Sequence, residues 1–116
     1  MRGLFYSVLL VLFASGCGRK GVTQLGIASE TPPQGIAQLR SLNNADEVSI
    51  RGEMIEKCPV AGCWFVVRDA TGILKVDTKT AGFVVVDVPL KTLVTVVGRI
   101  GIQDSGLTLE ATGLRY

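Results

Sequence analysis

Two β-branched stretches of this chain run into a glycine at the same point, Val48-Ser49-Ile50-Arg51-Gly52 and Val94-Thr95-Val96-Val97-Gly98. A glycine inside a strand gives up side-chain packing, so a strand interior keeps one where it must bulge or coil sharply. A small barrel needs such positions, because a strand that crosses from one half of a closed sheet to the other has to bend on the way.

The rest of the chain fits that demand. Residues 47–56 place Val48, Ile50, Gly52 and Met54 on one face and Ser49, Arg51 and Glu53 on the other, the period of a strand with one wet side. Residues 63–68 form a second strand. They are followed by Asp69-Ala70-Thr71-Gly72, a tight hairpin connection with glycine where a left-handed residue is expected. Residues 73–77 are the third strand. Residues 93–102 and 107–114 are the fourth and fifth, separated by the turn signal Asp104-Ser105-Gly106. Between them, Phe83-Val84-Val85-Val86 fits a further short strand, and Gly82 and Pro89 argue against a helix there. Ahead of the strands, Ile36, Leu39 and Leu42 share one helical face after Pro33-Gln34, which predicts about two helical turns capping the end of the domain. The expectation is an all-β fold over residues 35–116: a five-stranded OB-type Greek-key barrel with a short N-terminal helix.

Residues 1–16 read as an address. Arg2 is followed by an apolar run from Leu4 to Ala14, too short to span a hydrocarbon core of about 30 Å, which takes roughly 20 residues. Ala14-Ser15-Gly16-Cys17 resembles the end of a bacterial lipoprotein signal, in which the chain is cut before the cysteine and that cysteine is lipidated. Ala14 stands where leucine is usual. The resemblance implies lipid on Cys17 and attachment to the membrane facing the periplasm; Gly18 after the cysteine favours the outer membrane where there are two. An ordinary secretory signal would instead leave Cys17 a free thiol. Residues 17–34 are polar, carry glycine and end in Thr31-Pro32-Pro33, a flexible linker that stiffens at the prolines.

The chain has no histidine, which removes the usual general base near neutral pH and the commonest metal ligand. Residues 47–116 carry eight basic and eight acidic side chains. A neutral domain lacks the positive footprint that supplies most non-specific nucleic-acid affinity.

The densest stretch is Cys58-Pro59-Val60-Ala61-Gly62-Cys63-Trp64-Phe65, which holds the lone tryptophan and the two cysteines beyond Cys17. In an exported chain such a pair is expected to form a disulfide. Closing so short a loop would stabilise by roughly 2 kcal/mol. Redox chemistry usually wants two intervening residues and a nearby cation; here there are four, with only Lys57 adjacent. Zinc wants four ligands, and no metal site is expected. Copper(I) accepts two thiolates, with Met54 conceivable as a third ligand. Trp64 and Phe65 point to opposite faces of their strand. Whichever faces out, beside Arg51, Arg68 or Lys75, would form a binding surface able to stack a base or a sugar.

With the cluster from Cys58 to Trp64, the Asp69 to Gly72 turn, Ile73 to Val76 and Val94 to Gly98, residues 46–116 resemble the small exported OB-fold proteins of bacteria. These are mostly uncharacterised and often labelled nucleic-acid-binding or tRNA-anticodon-binding-like by fold alone. The resemblance implies the barrel and imports no activity. No residue pattern points to an enzyme or a resident cofactor. The reading is therefore a lipid-anchored binding module whose partner is another envelope protein or an extended ligand. Nucleotide or oligonucleotide binding, and thiol or copper handling through Cys58 and Cys63, are the alternatives.

Overall fold

The computed structural model describes residues 22–42, 47–103 and 106–116. The leader, Cys17 and the tip of the turn at 104–105 lie outside them. Six strands and one short 3-10 helix follow in the order β1 (Gln24–Gly26), the 3-10 helix (Ile36–Ser41), β2 (Glu47–Lys57), β3 (Trp64–Asp69), β4 (Gly72–Asp77), β5 (Leu93–Gln103) and β6 (Gly106–Arg115).

Strands β2 to β6 close into a barrel. β2 pairs antiparallel with β3 on one side and β5 on the other, β3 with β4, and β5 with β6; the circle closes through the parallel contact Lys75↔Thr108, Val76↔Leu109 and Asp77↔Glu110 between β4 and β6. This is the connectivity of an OB-type barrel. Its interior holds Val48, Ile50 and Met54 from β2, Phe65 and Val67 from β3, and Leu74 and Val76 from β4. Val96 of β5 and Leu109 and Leu114 of β6 complete it, each at most 4% exposed. The inward side chains of each strand alternate with outward ones, so the period of two in the sequence becomes the wall of the core.

Gly52 and Gly98 mark close approaches of backbone to backbone. A Cβ on Gly52 would stand 2.4 Å from the Arg68 carbonyl oxygen, and one on Gly98 would stand 2.2 Å from that of Glu110. The ladders also slip at two bulges, Met54/Glu56 on β2 and Val97/Gly98 against β6.

Three expectations need correction. The segment up to residue 34 is not a free tether over its described part. Residues 24–26 add β1 to β6, Ile27 N–H donates to Thr112 O at 2.8 Å, and Pro33 bridges to Ser49 while Gln34 N–H donates to Ser49 O at 2.7 Å. The polar residues there satisfy partners rather than water: Ser29 and Thr31 both donate to the Glu47 carboxylate, which holds its pKa below the usual range. Secondly, residues 83–86 are not a strand. Val85 and Val88 are buried as a plug, but Val85 N–H finds only Gly62 O at 2.9 Å and Val88 N–H turns back to Val85 O at 3.0 Å, so no ladder forms.

Thirdly, Gly72 is not left-handed. Its small size leaves room for Ile36, whose side chain comes within 3.4 Å of where a Cβ would be. The Asp69 carboxylate closes the turn, accepting from Thr71 N–H at 2.7 Å, Thr71 Oγ1 at 2.7 Å and Gly72 N–H at 3.0 Å, while its other oxygen accepts from Ile36 N–H at 2.9 Å. One side chain thus shapes the hairpin and pins the helix to it. The helix buries Ile36 and Leu39 as expected, in 3-10 rather than α geometry.

Candidate functional site

The β3–β4 hairpin presents one outward face. Phe65, Val67, Leu74 and Val76 point in, so Trp64, Val66 and Arg68 point out from β3, and Ile73 and Lys75 point out from β4. Trp64 and Val66 are half-buried and Ile73 is 59% exposed. Lys75 is the diagonal neighbour of Trp64, whose direct partner is Asp77, and its ammonium stands 5.2 Å from the centre of the indole ring. That is within cation–π range. Arg68 pairs with Glu53 of β2 at 2.8 Å, so the cations of this face are matched by an acid at its edge. Asp77, at the end of β4, accepts from Lys79 N–H at 2.8 Å and Gln103 Nε2 at 3.0 Å. Burial works to raise its pKa, and these donors outweigh it and hold the carboxyl below the usual range.

The structure brings together Trp64, Arg68 and Lys75 of the expected binding residues. Phe65 is fully buried against the core, so it is not part of any surface. Arg51 lies elsewhere: it projects from β2 opposite Thr95, donates to Thr95 Oγ1 at 3.4 Å, and lines a separate shallow cavity with Arg115 and Tyr116. Sequence reasoning missed Val66 and Ile73, although the strand alternation that sends Phe65 inward places both of them outward.

At one end of the hairpin lies the loop 58–63. Cys58 N–H donates to Trp64 O at 3.0 Å and closes its base. Gly62 adopts φ 63°, a left-handed conformation that costs glycine nothing, and its Cβ-less backbone packs against Val85 and Val86. Gly62 O accepts from Val85 N–H, and Cys63 O from Thr78 N–H, both at 2.9 Å.

Cys58 and Cys63 stand as free thiols, half-buried and 4.2 Å apart. The turn places backbone amides around the Cys58 sulfur. Backbone N–H groups of Ala61 and Val60, supported by those of Gly62 and Cys63, favour its thiolate and bring its pKa down to about 7 against the opposing effect of burial. Lys57 turns away, donating to the carbonyl oxygens of Val85 at 3.4 Å, Val86 at 2.9 Å and Val88. Met54 is fully buried in the core and is no third ligand for a metal at the thiols. Among the described residues no group of three or more acidic or cysteine side chains is placed to hold a metal ion.

The closed five-stranded sheet with its parallel β4–β6 seam defines the class: an all-β, OB-type barrel with an aromatic and cationic face on the hairpin. No protein-family model and no curated protein matches the chain. Among solved structures it is similar to the hypothetical protein YgiW from E. coli, with a TM-score of 0.56 and 17% identity over 76% of this chain and 97% of that one. At that identity the likeness shows the fold alone.

Proposed function

We propose that this chain is an exported module, anchored through lipid on Cys17, that binds an extended segment of another envelope protein across the outer face of β3 and β4. The observation that carries the reading is the Trp64–Lys75 pair flanked by Val66 and Ile73. It joins an amphipathic aromatic anchor to exposed apolar surface on the hairpin that OB barrels use for extended ligands. Arg68 and Glu53 supply charges of both signs at the edge, which suits a polypeptide better than a polyanion. So does the charge balance of residues 47–116.

The test is site-specific photocrosslinking in the native envelope, with the crosslinker at Ile73 and, as control, at Ile102 of β5, which is 67% exposed. Discrete protein adducts from Ile73, lost with Trp64→Ala or Lys75→Glu and absent from Ile102, are the expected result. No adduct from Ile73, together with salt-dependent binding of a labelled single-stranded oligonucleotide by the purified chain, would replace the protein partner with a nucleic acid. Mass analysis of the mature N-terminus checks the anchor; an unmodified Cys17 would refute it.

A further inference from the structure

We propose that Cys58 and Cys63 form a thiol–disulfide exchange site, with Cys58 as the attacking thiol and Cys63 as the resolving one, acting on disulfides of protein substrates. The inference stands on the loop and does not depend on what binds the hairpin face. Its first support is placement: two half-buried thiols 4.2 Å apart in one loop, near enough for a bond to form after small side-chain rotations. The second is the frame. The hydrogen bonds Cys58–Trp64, Val85–Gly62 and Thr78–Cys63 hold the loop at both ends and along its side, without using either sulfur. The loop can therefore keep its shape with the pair reduced or joined.

The third support is the electrostatic setting. A cluster of turn amides around Cys58 does what a helix N-terminus does in other reactive cysteines, offering N–H dipoles to the thiolate. With a pKa of about 7, about half of Cys58 is thiolate at neutral pH, against a few per cent for an ordinary thiol near 8.5. The fourth is the rim. Val60 at the loop tip is 87% exposed, and Val84 and Val86, on the segment packed against Gly62, are 48% and 49% exposed. Apolar side chains around a reactive sulfur fit an apolar stretch of polypeptide beside the substrate disulfide.

The exchange runs in two steps. The Cys58 thiolate attacks one sulfur of the substrate disulfide; a bond forms between them, the substrate S–S bond breaks, and its second sulfur leaves as a thiolate that takes a proton from water. Cys63 then loses its proton to solvent and attacks Cys58 Sγ. The Cys58–Cys63 bond forms, the mixed disulfide breaks, and the substrate ends as a dithiol. Two electrons pass from the pair to the substrate, and the same steps in reverse oxidise a substrate dithiol.

The test uses the full mature chain, reduced, with the aromatic disulfide dithiobis(nitrobenzoate) as probe. The wild type should release two equivalents of thiolate and end with its two cysteines joined. Cys63→Ser should stop at a stable mixed disulfide on Cys58, with a pH–rate midpoint near 7. Cys58→Ser should release at most one equivalent and leave no joined pair. Should a variant fail to fold, peptide mapping of the wild type after substoichiometric iodoacetamide gives the same answer, with Cys58 modified first at pH 7. Preferential modification of Cys63, a Cys58 midpoint at the ordinary value, or a bridge that excess reduced glutathione leaves closed would each overturn the proposal. The last result would return the pair to a structural staple.

Discussion

Replacing Asp69 by asparagine should expose how much of the barrel end depends on one carboxylate. Asp69 accepts four hydrogen bonds, three from the β3–β4 turn through Oδ1 and one from Ile36 N–H through Oδ2. A hydrogen bond to a charged group contributes about 1.5–3 kcal/mol when its surroundings exclude water. Those from Thr71 are exposed and those from Ile36 and Gly72 partly buried, so each sits at or below the low end of that range, and they act on one group and do not simply add. Asparagine retains one acceptor and loses the charge. The expected cost is about 1–2 kcal/mol, which for a folded unit of this size lowers Tm by roughly 4–15 °C. The pH dependence follows from the sign of the shift. Burial alone would raise the Asp69 pKa, but the donors from Thr71, Ile36 and Gly72 prevail and hold it below the ordinary value. Its stabilisation is complete above the unfolded pKa of about 3.9. It is lost as pH falls through the lower folded value. Urea melts of wild type and Asp69→Asn at pH 7 and near pH 2 check this. The gap should be present at pH 7 and should shrink in acid. Equal stability at pH 7, or a gap unchanged in acid, would refute the assignment of the turn to this carboxylate.

Gly98→Ala should destabilise by about 1–3 kcal/mol or more, because its Cβ would press to 2.2 Å from the Glu110 carbonyl oxygen and force β5 away from β6. Gly106→Ala, whose Cβ would meet Gln103 O at 3.5 Å, should stay near neutral in the same denaturant melts. Lys57→Met should cost about 1–2 kcal/mol by taking the ammonium donor from the carbonyl oxygens of Val86 and Val88, while Val85 O keeps the Val88 N–H. The pH midpoint of Cys58 alkylation should not move, since the turn amides set it. A midpoint displaced toward the ordinary thiol value in that variant would assign the activation to the lysine instead.

Much of the barrel was legible because a strand states its inward face by alternation and a closed sheet states its bends by glycine. Gly52 and Gly98 could be placed before any pairing was known, since little else puts a glycine inside a β-branched run. What alternation cannot supply is a partner. Phe83 to Val86 are as apolar as any strand here, yet Gly62 O is what Val85 N–H finds, so the segment becomes a plug with Val85 and Val88 buried. The stretch before the helix failed in the opposite sense. It has no apolar period, and its order comes from backbone pairing to β6 and Ser49 and from hydroxyls on Glu47. A polar composition reads as a linker whether its hydrogen bonds go to water or to the sheet. The binding face divides along the same line: strand parity settles Trp64 against Phe65, while the distance of Arg51 from Lys75 depends on which strands are neighbours.

The cysteine loop shows most sharply where residue types stop informing. Spacing and adjacent charge, the two signals a sequence offers for a reactive thiol, both argue against Cys58. Four residues intervene before Cys63, and the neighbouring Lys57 spends its ammonium on the carbonyls at 85–88. The sulfur is instead addressed by backbone N–H groups at 60–63, in a loop with a left-handed Gly62 that is tied from 62 to 85 and from 63 to 78. Any residues able to make that turn would supply the same amides, so the signal lies in backbone dihedral angles rather than in side-chain identity. The segment 78–92 thereby serves two ends. Val85 and Val88 fill the barrel, and the same stretch fixes the loop that decides whether Cys58 is a thiol or a thiolate.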